Sequence, residues 1–215
     1  MDNYVITIAR GFGSGGKAIG LLLSEMLNIP CYDKEILQMA ADTSGINESY
    51  FFNSDEKVKT SFFSLLDAKE SNGKYKEYLF TPENKKFTSN ENLFNFQASV
   101  IKHIGTTESC IIIGRASDYI LRNRSNVFRV NIQAPLDKCI QVTMKRMQLN
   151  YNEAMQMVRK SNKYRSDFYY YYTGESWDNP LNYDLCLNTS RLKRKVCAEI
   201  IMQSTEKMFG CSLTK

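Results

Sequence analysis

The chain holds a single histidine, His103, and that scarcity removes several chemistries at once. A Cys/His zinc site, a paired-histidine metal site or a Ser-His-Asp triad would each have to be built around it. It lies in NLFNFQASVIKHIG, where Phe96, Val100, Ile101 and Ile104 recur at helical spacing, so it reads as part of a half-buried helix with a structural role. The six cysteines lack CxxC spacing, and several sit inside apolar runs such as SCIIIG and DLCLN. They read as reduced core residues rather than disulfides or metal ligands, and no metal-ligating side-chain cluster is expected. No apolar run approaches the roughly 18 residues needed to cross a bilayer, and the first residues lack the pattern of a secretory leader, so the expected location is cytoplasmic, away from membranes. There is no internal repeat, no low-complexity tract and no single long basic run. A net charge of +5 is as well explained by an anionic small molecule as by nucleic acid, and no nucleic-acid partner is expected.

What is present alternates in type. YVITIA at the start is short, apolar and β-branched, as a buried parallel strand should be. A glycine loop follows, and then KAIGLLLSEMLN carries Ile19, Leu22, Leu23, Met26 and Leu27 at helical period until Pro30 breaks it. IPCYD reads as a second strand ending at Asp33, KEILQMAADTSG as a helix stopped by Gly45. From about 54 to 92 the pattern gives way to polar sequence with short aromatic patches, an excursion from the core. Helix then returns at 91–104, strand at Cys110–Ile113, a short helix at Ala116–Leu121 and strand at Val127–Ile132. Pro135 opens a helix, another spans Asn152 to about Tyr172, DLCLN is the last strand and LKRKVCAEIIMQSTEKMF the closing helix. This is an α/β protein with a parallel sheet, organised as one domain over 1–215.

The loop ARGFGSGGKAIG fits two templates. Gly11, Gly13 and Gly16 spell GxGxxG, the dinucleotide fingerprint, and Asp33 lies about 20 residues on, where an acid would bind a ribose hydroxyl. Gly11, Gly16 and Lys17 spell GxxxxGK, the phosphate cradle of kinases, in which backbone N–H groups of Gly13, Ser14, Gly15 and Gly16 wrap phosphate oxygens and the lysine reaches the outer phosphates. A dinucleotide site has no specific use for Lys17, which favours phosphate transfer. Residue 18 is alanine, where a Ser or Thr hydroxyl commonly binds magnesium. That leaves water and phosphate oxygens, or the Ser14 hydroxyl, to hold the metal.

ITIARGFGSGGKAIG, CYDKEIL, IIIGRASDYILRNRSNVFRVNIQAPL and KSNKYRSDFYYYYTGESWDNPLNYDLCLNTS together resemble the cytidylate kinase-like family of P-loop nucleoside monophosphate kinases. The resemblance covers most of the chain and is weakest over 54–92. It implies a three-layer α/β/α P-loop fold with a helical lid over about 150–180 and a monophosphate-binding insertion over 54–92. It also implies transfer of the ATP γ-phosphoryl, with Mg2+, to a nucleoside monophosphate, CMP or dCMP being the family's acceptor. Arg115, at the carboxyl end of a strand, matches the arginine that clamps the acceptor phosphate, its bidentate fork suiting that role, with a surface salt bridge as the plainer alternative. Asp118 beside it is a further acceptor candidate. Arg159, Lys160, Lys163 and Arg165 lie near one face of the lid helix; by resemblance they close over the phosphates, Lys163 and Arg165 as catalytic cations and Arg159 toward the acceptor. An ordinary solvated face is the alternative. Asp33 either orients a basic clamp or the nucleoside, or caps the helix before KEIL. The run Tyr169 to Tyr172 is expected to pack the lid on the core. Two other functions stay open: an ATP-binding regulator without turnover, motivated by Ala18, and a dinucleotide oxidoreductase.

Overall fold

The structure, a computed structural model, describes residues 3–52 and 79–213. Most of the excursion expected over 54–92 therefore lies outside the described residues. Five strands, β1 (Val5–Arg10), β2 (Cys31–Tyr32), β3 (Cys110–Ile113), β4 (Val127–Gln133) and β5 (Leu185–Asn188), form one sheet in the order β2-β3-β1-β4-β5. Each neighbouring pair is parallel, with Val5 opposite both Cys110 and Val127. The helices are α1 (Gly16–Leu27), α2 (Glu35–Ser44), α3 (Asn90–Thr107), α4 (Ser117–Ile120), α5 (Leu136–Met147), α6 (Tyr151–Thr173) and α7 (Arg194–Phe209).

The central strands β1 and β3 are buried on both faces, which is why they are continuous rather than alternating apolar runs. Ile6 and Ile8 of β1 pack with Ile19 and Leu23 of α1 and with Cys197 and Ile201 of α7. Val5, Cys110 and Ile112 face the other way, into a cluster with Ile36 and Leu37 of α2, Phe94, Ile101 and Ile104 of α3, and Tyr172 of α6. Each fully buried aliphatic side chain contributes about 2 kcal/mol, so the two clusters together hold the three layers. His103 is on the exposed face of α3, whose opposite side is buried as the spacing implied. The six cysteines are free thiols; Cys110, Cys139 and Cys197 are in the core, while Cys186 is exposed and so not a core residue.

Because all five strands run the same way, their carboxyl ends share one edge, and ligands of open α/β sheets gather at that edge. The glycine loop follows β1, Asp33 follows β2, and Gly114 and Arg115 follow β3. The sheet order also decides between the two loop templates. In a dinucleotide fold β1 lies beside β2, whereas here β3 intervenes, so the dinucleotide alternative fails on topology.

Candidate functional site

The loop between β1 and α1 starts with Gly11, whose N–H donates to the Ile132 carbonyl at 3.0 Å. Gly13 and Gly15 take φ of 82 and 87, the left-handed region that turns successive N–H groups toward one side. Gly13 is also pressed on α5: a Cβ there would lie 2.7 Å from the Cys139 carbonyl oxygen. Gly15 is the N-cap of α1 and brings no side-chain cap, so the first amides of that helix face the cleft as an anion cradle. Thr189 and Ser14 brace the loop from behind. The Thr189 hydroxyl donates to the Ser14 carbonyl at 2.8 Å, and the Ser14 hydroxyl to the Gly11 carbonyl at 2.9 Å.

Around this loop lies a cleft of about 740 Å³ at the carboxyl edge of the sheet. Among the described residues its lining includes eight cationic side chains, from Arg10, Lys17, Lys34, Arg115, Arg146, Lys160, Arg165 and Arg194, against the two carboxylates of Asp33 and Asp118. Asp33 binds Lys17 Nζ at 2.8 Å and Arg10 Nη2 at 3.4 Å. Burial works against its ionisation, but the hydrogen bond from Lys17 and the charges of Arg10, Lys17 and Arg115 outweigh it, so its carboxyl titrates below the ordinary value. It does not cap α2, whose N-cap is Lys34. Arg165 reaches back from α6 to donate to the Arg10 carbonyl at 2.9 Å. Burial, with Arg10 and Arg146 as like-charged neighbours, pulls its pKa down to about 9. A guanidinium held in that field gains from any polyanion that enters.

After β3 the chain makes three consecutive left-handed residues: Gly114 at φ 74, Arg115 at 61 and Ala116 at 51. A Cβ on Gly114 would meet the tip of the Arg10 guanidinium, which would have to shift to admit it. The two non-glycine residues each cost about 1 kcal/mol, and the turn they make brings Arg115 to the cleft. Asp118, buried behind them, accepts from the Tyr169 hydroxyl at 2.7 Å. Burial pushes its carboxyl up to about 6, against the lowering pull of that hydrogen bond. Phe168, Tyr169, Trp177 and Tyr183 make this end of the cleft aromatic. One cleft thus joins a cationic phosphate end to an aromatic end with a single protonatable acid.

The structure brings together most residues singled out from the sequence. Gly11, Gly13, Gly15, Gly16, Lys17, Ala18, Asp33, Arg115, Asp118, Lys160 and Arg165 all line the cleft. Ser14 does not: its side chain is buried and turned to the loop's own carbonyl. Lys163 is exposed and pairs with Asp167 at 2.8 Å, and Arg159 is exposed; neither is among the cleft's lining residues. Helical spacing placed the four basic residues near one face, but on α6 the turn that faces the loop carries Asn162 and Arg165. Asn162 accepts from the Phe12 N–H at 2.7 Å. Sequence reasoning missed Asn162, Arg10, Arg146 and Arg194. Arg10 could have been found, as the residue that ends β1 directly before the loop; Arg146 and Arg194 carry no local motif and arrive through packing. Tyr169 and Tyr172 are buried as expected, with Tyr172 stacked on Phe94 at 3.9 Å between ring centroids, while Tyr170 is exposed.

The magnesium of P-loop kinases has no matching ligand set among the described residues. Ala18 and Ile19 follow Lys17, so the first turn of α1 carries no hydroxyl, and the Ser14 hydroxyl is committed to Gly11. The strands that flank β1 end in Gly114–Arg115 and in Gln133, not in a carboxylate. Asp33 is taken by two cations, and among the described residues no group of three or more His, Cys, Asp or Glu side chains could hold a metal ion.

Residues 5–191 match the model of the cytidylate kinase-like family, and the chain belongs to that family. The fold is shared with the crystal structure of an uncharacterized protein from Eubacterium ventriosum ATCC 27560, at a TM-score of 0.69 and 20% identity over 95% of this chain and 99% of that one. It is also shared, more distantly, with a gluconokinase from Sinorhizobium meliloti 1021, at a TM-score of 0.51 and 8% identity over 96% and 94% of the two chains. Both likenesses are of fold. Comparison with curated proteins gives no match. Among the described residues, no helix is long and apolar enough to cross a membrane.

Proposed function

We propose that this protein is a phosphotransferase that moves the γ-phosphoryl of ATP to a nucleoside monophosphate, with CMP or dCMP as the acceptor its family suggests. The observation that carries the reading is the convergence of the GxxxxGK loop, Arg115 and Arg165 on one cationic cleft at the sheet's carboxyl edge. Phosphoryl transfer asks a protein mainly to align two phosphates and meet the charge spread over the transferring group. In this reading the loop amides and Lys17 hold the β and γ phosphates of ATP. Lys17 exchanges Asp33 for phosphate oxygens when the nucleotide arrives. Arg165 bridges from α6, and Arg115 clamps the acceptor phosphate with Asp118 and the aromatic end beyond it for the nucleoside. Residues over 150–180 act as the lid that excludes water, and residues over 54–92 complete the acceptor side. Lys160, already at the cleft, and Lys163 and Arg159, one face further round α6, reach the phosphates only if the lid turns. Its working location is the cytoplasm, with small nucleotides as its partners.

A second reading, an ATP-binding regulator that does not turn over, is favoured by Ala18. A coupled assay of ATP consumption against each nucleoside monophosphate separates the two. Turnover with a monophosphate that disappears in Lys17→Ala supports the kinase; ATP binding without turnover on any of them supports the regulator.

A further inference from the structure

We propose that the donor site binds its nucleotide with no magnesium ion anchored by protein side chains, the polyphosphate charge being met by Lys17 and by arginines on both flanks of the loop. The inference rests on the ATP-site reading above and concerns how that site is built. Three positions that could anchor the ion lack a suitable group together. The first turn of α1 reads Gly16, Lys17, Ala18, Ile19; the hydroxyl of Ser14 donates to Gly11; and both strands beside β1 end without a carboxylate. Magnesium is reluctant to lose water and is commonly fixed by one or two carboxylates together with phosphates. Asp33 and Asp118 are the carboxylates that line the cleft. Asp33 is paired with Arg10 as well as Lys17, so it keeps a cationic partner when Lys17 turns to the phosphates, and Asp118 is buried against Tyr169 at the far end.

Cations stand on both flanks instead. On one side the guanidinium groups of Arg146 and Arg165 lie 5.4 and 5.6 Å from the centre of the Phe12 ring within the loop, and Arg165 is bonded to Arg10. On the other, Arg194 opens α7 with its Nε 3.7 Å from where a Cβ on Gly15 would sit. Burial and the like charges of Arg10 and Arg146 lower the Arg165 pKa, and a polyanion beside these guanidinium groups offsets that repulsion. Guanidinium forks also match phosphate oxygens geometrically, so they can hold the chain without an ion as intermediary. Arg146 and Arg194 are both exposed, so replacing them leaves the core intact.

The test is isothermal titration of ATP into the full chain, in EDTA and in excess magnesium, for wild type and for the double variant Arg146→Ala/Arg194→Ala. Wild-type affinity in EDTA within about fivefold of that in magnesium is expected. The double variant is expected to weaken ATP binding in EDTA by about tenfold or more, the size of one or two lost charge-assisted contacts. Wild-type binding that tightens by more than about fivefold with magnesium overturns the inference and leaves the ATP site standing, as does a double variant that binds like wild type in EDTA. Absence of ATP binding in both buffers overturns the ATP-site reading and this inference with it.

Discussion

At the scale of single residues the account rests on how charge is placed. Lys17 is more than half exposed, held at its tip by Asp33, and buries little of its stem. Lys17→Ala is therefore expected to lower phosphoryl transfer by about a hundredfold or more with little change in melting temperature, measured by coupled assay and thermal unfolding. Gly13→Ala should do the reverse of a silent change. Its Cβ meets the Cys139 carbonyl, and its φ is left-handed, so a loss of about 2 kcal/mol of stability together with nucleotide binding is expected by denaturant titration and calorimetry. The two cleft acids act on stability with opposite sign. The folded-state pKa of Asp33 lies below its unfolded value, so its contribution is present above about pH 4 and is lost as pH falls through the folded value. That of Asp118 is raised to about 6, so the folded state binds the extra proton and its contribution, full below about pH 4, is lost as pH rises through about 6. Asp118→Asn, which keeps an oxygen for Tyr169, should flatten the fall in melting temperature between about pH 4 and pH 6 relative to wild type. An unchanged pH profile would contradict the burial of an ionisable group at that position.

Among the elements, α6 brings Asn162 and Arg165 to the glycine loop, and its stability is local as well as tertiary. Its start is a reciprocal cap, with Glu153 N–H to the Asn150 side chain at 3.0 Å and Asn150 N–H to the Glu153 carboxylate at 2.9 Å. Its far end docks through Phe168 and Tyr172 on Phe94 of α3. Asn150→Ala is expected to cost about 1 kcal/mol, and Tyr172→Ala about 3 kcal/mol with the docking of α6 on α3 lost, measured by denaturant unfolding of each variant. The strands and helices were legible from sequence because period and punctuation agree: β-branched runs at Val5, Cys110 and Val127, proline at 30 and 135, glycine at 45. The loop was legible because its chemistry is contiguous. Arg146, Asn162 and Arg194 were not, because each reaches the loop from a different helix, and spacing along one helix says nothing of which turn faces a neighbouring loop. The same limit put Lys163 and Arg159 on the expected face of α6 while the structure turns them to solvent.

For the whole molecule, the parallel sheet converts a linear sequence into one functional edge. Residues from the loop after β1, the ends of β2 and β3, and the middle of α6 meet within one cleft because every strand points the same way. The glycines of ARGFGSGGKAIG could serve either template by sequence alone; the position of β3 between β1 and β2 does not fit the dinucleotide template, and the cations gathered around Lys17 support the proposed phosphate site. The acceptor is not legible in the sequence because the resemblance to the family is weakest over 54–92. The claim that this edge transfers a phosphoryl group is tested most directly by following γ-labelled ATP in the presence of CMP, dCMP and the other nucleoside monophosphates, with wild type and Lys17→Ala side by side. Label should appear in the β-phosphate of the product diphosphate, fastest from CMP or dCMP, and fall by about a hundredfold in the variant. Label that stays in ATP with every monophosphate, in protein that still binds ATP, would contradict the account.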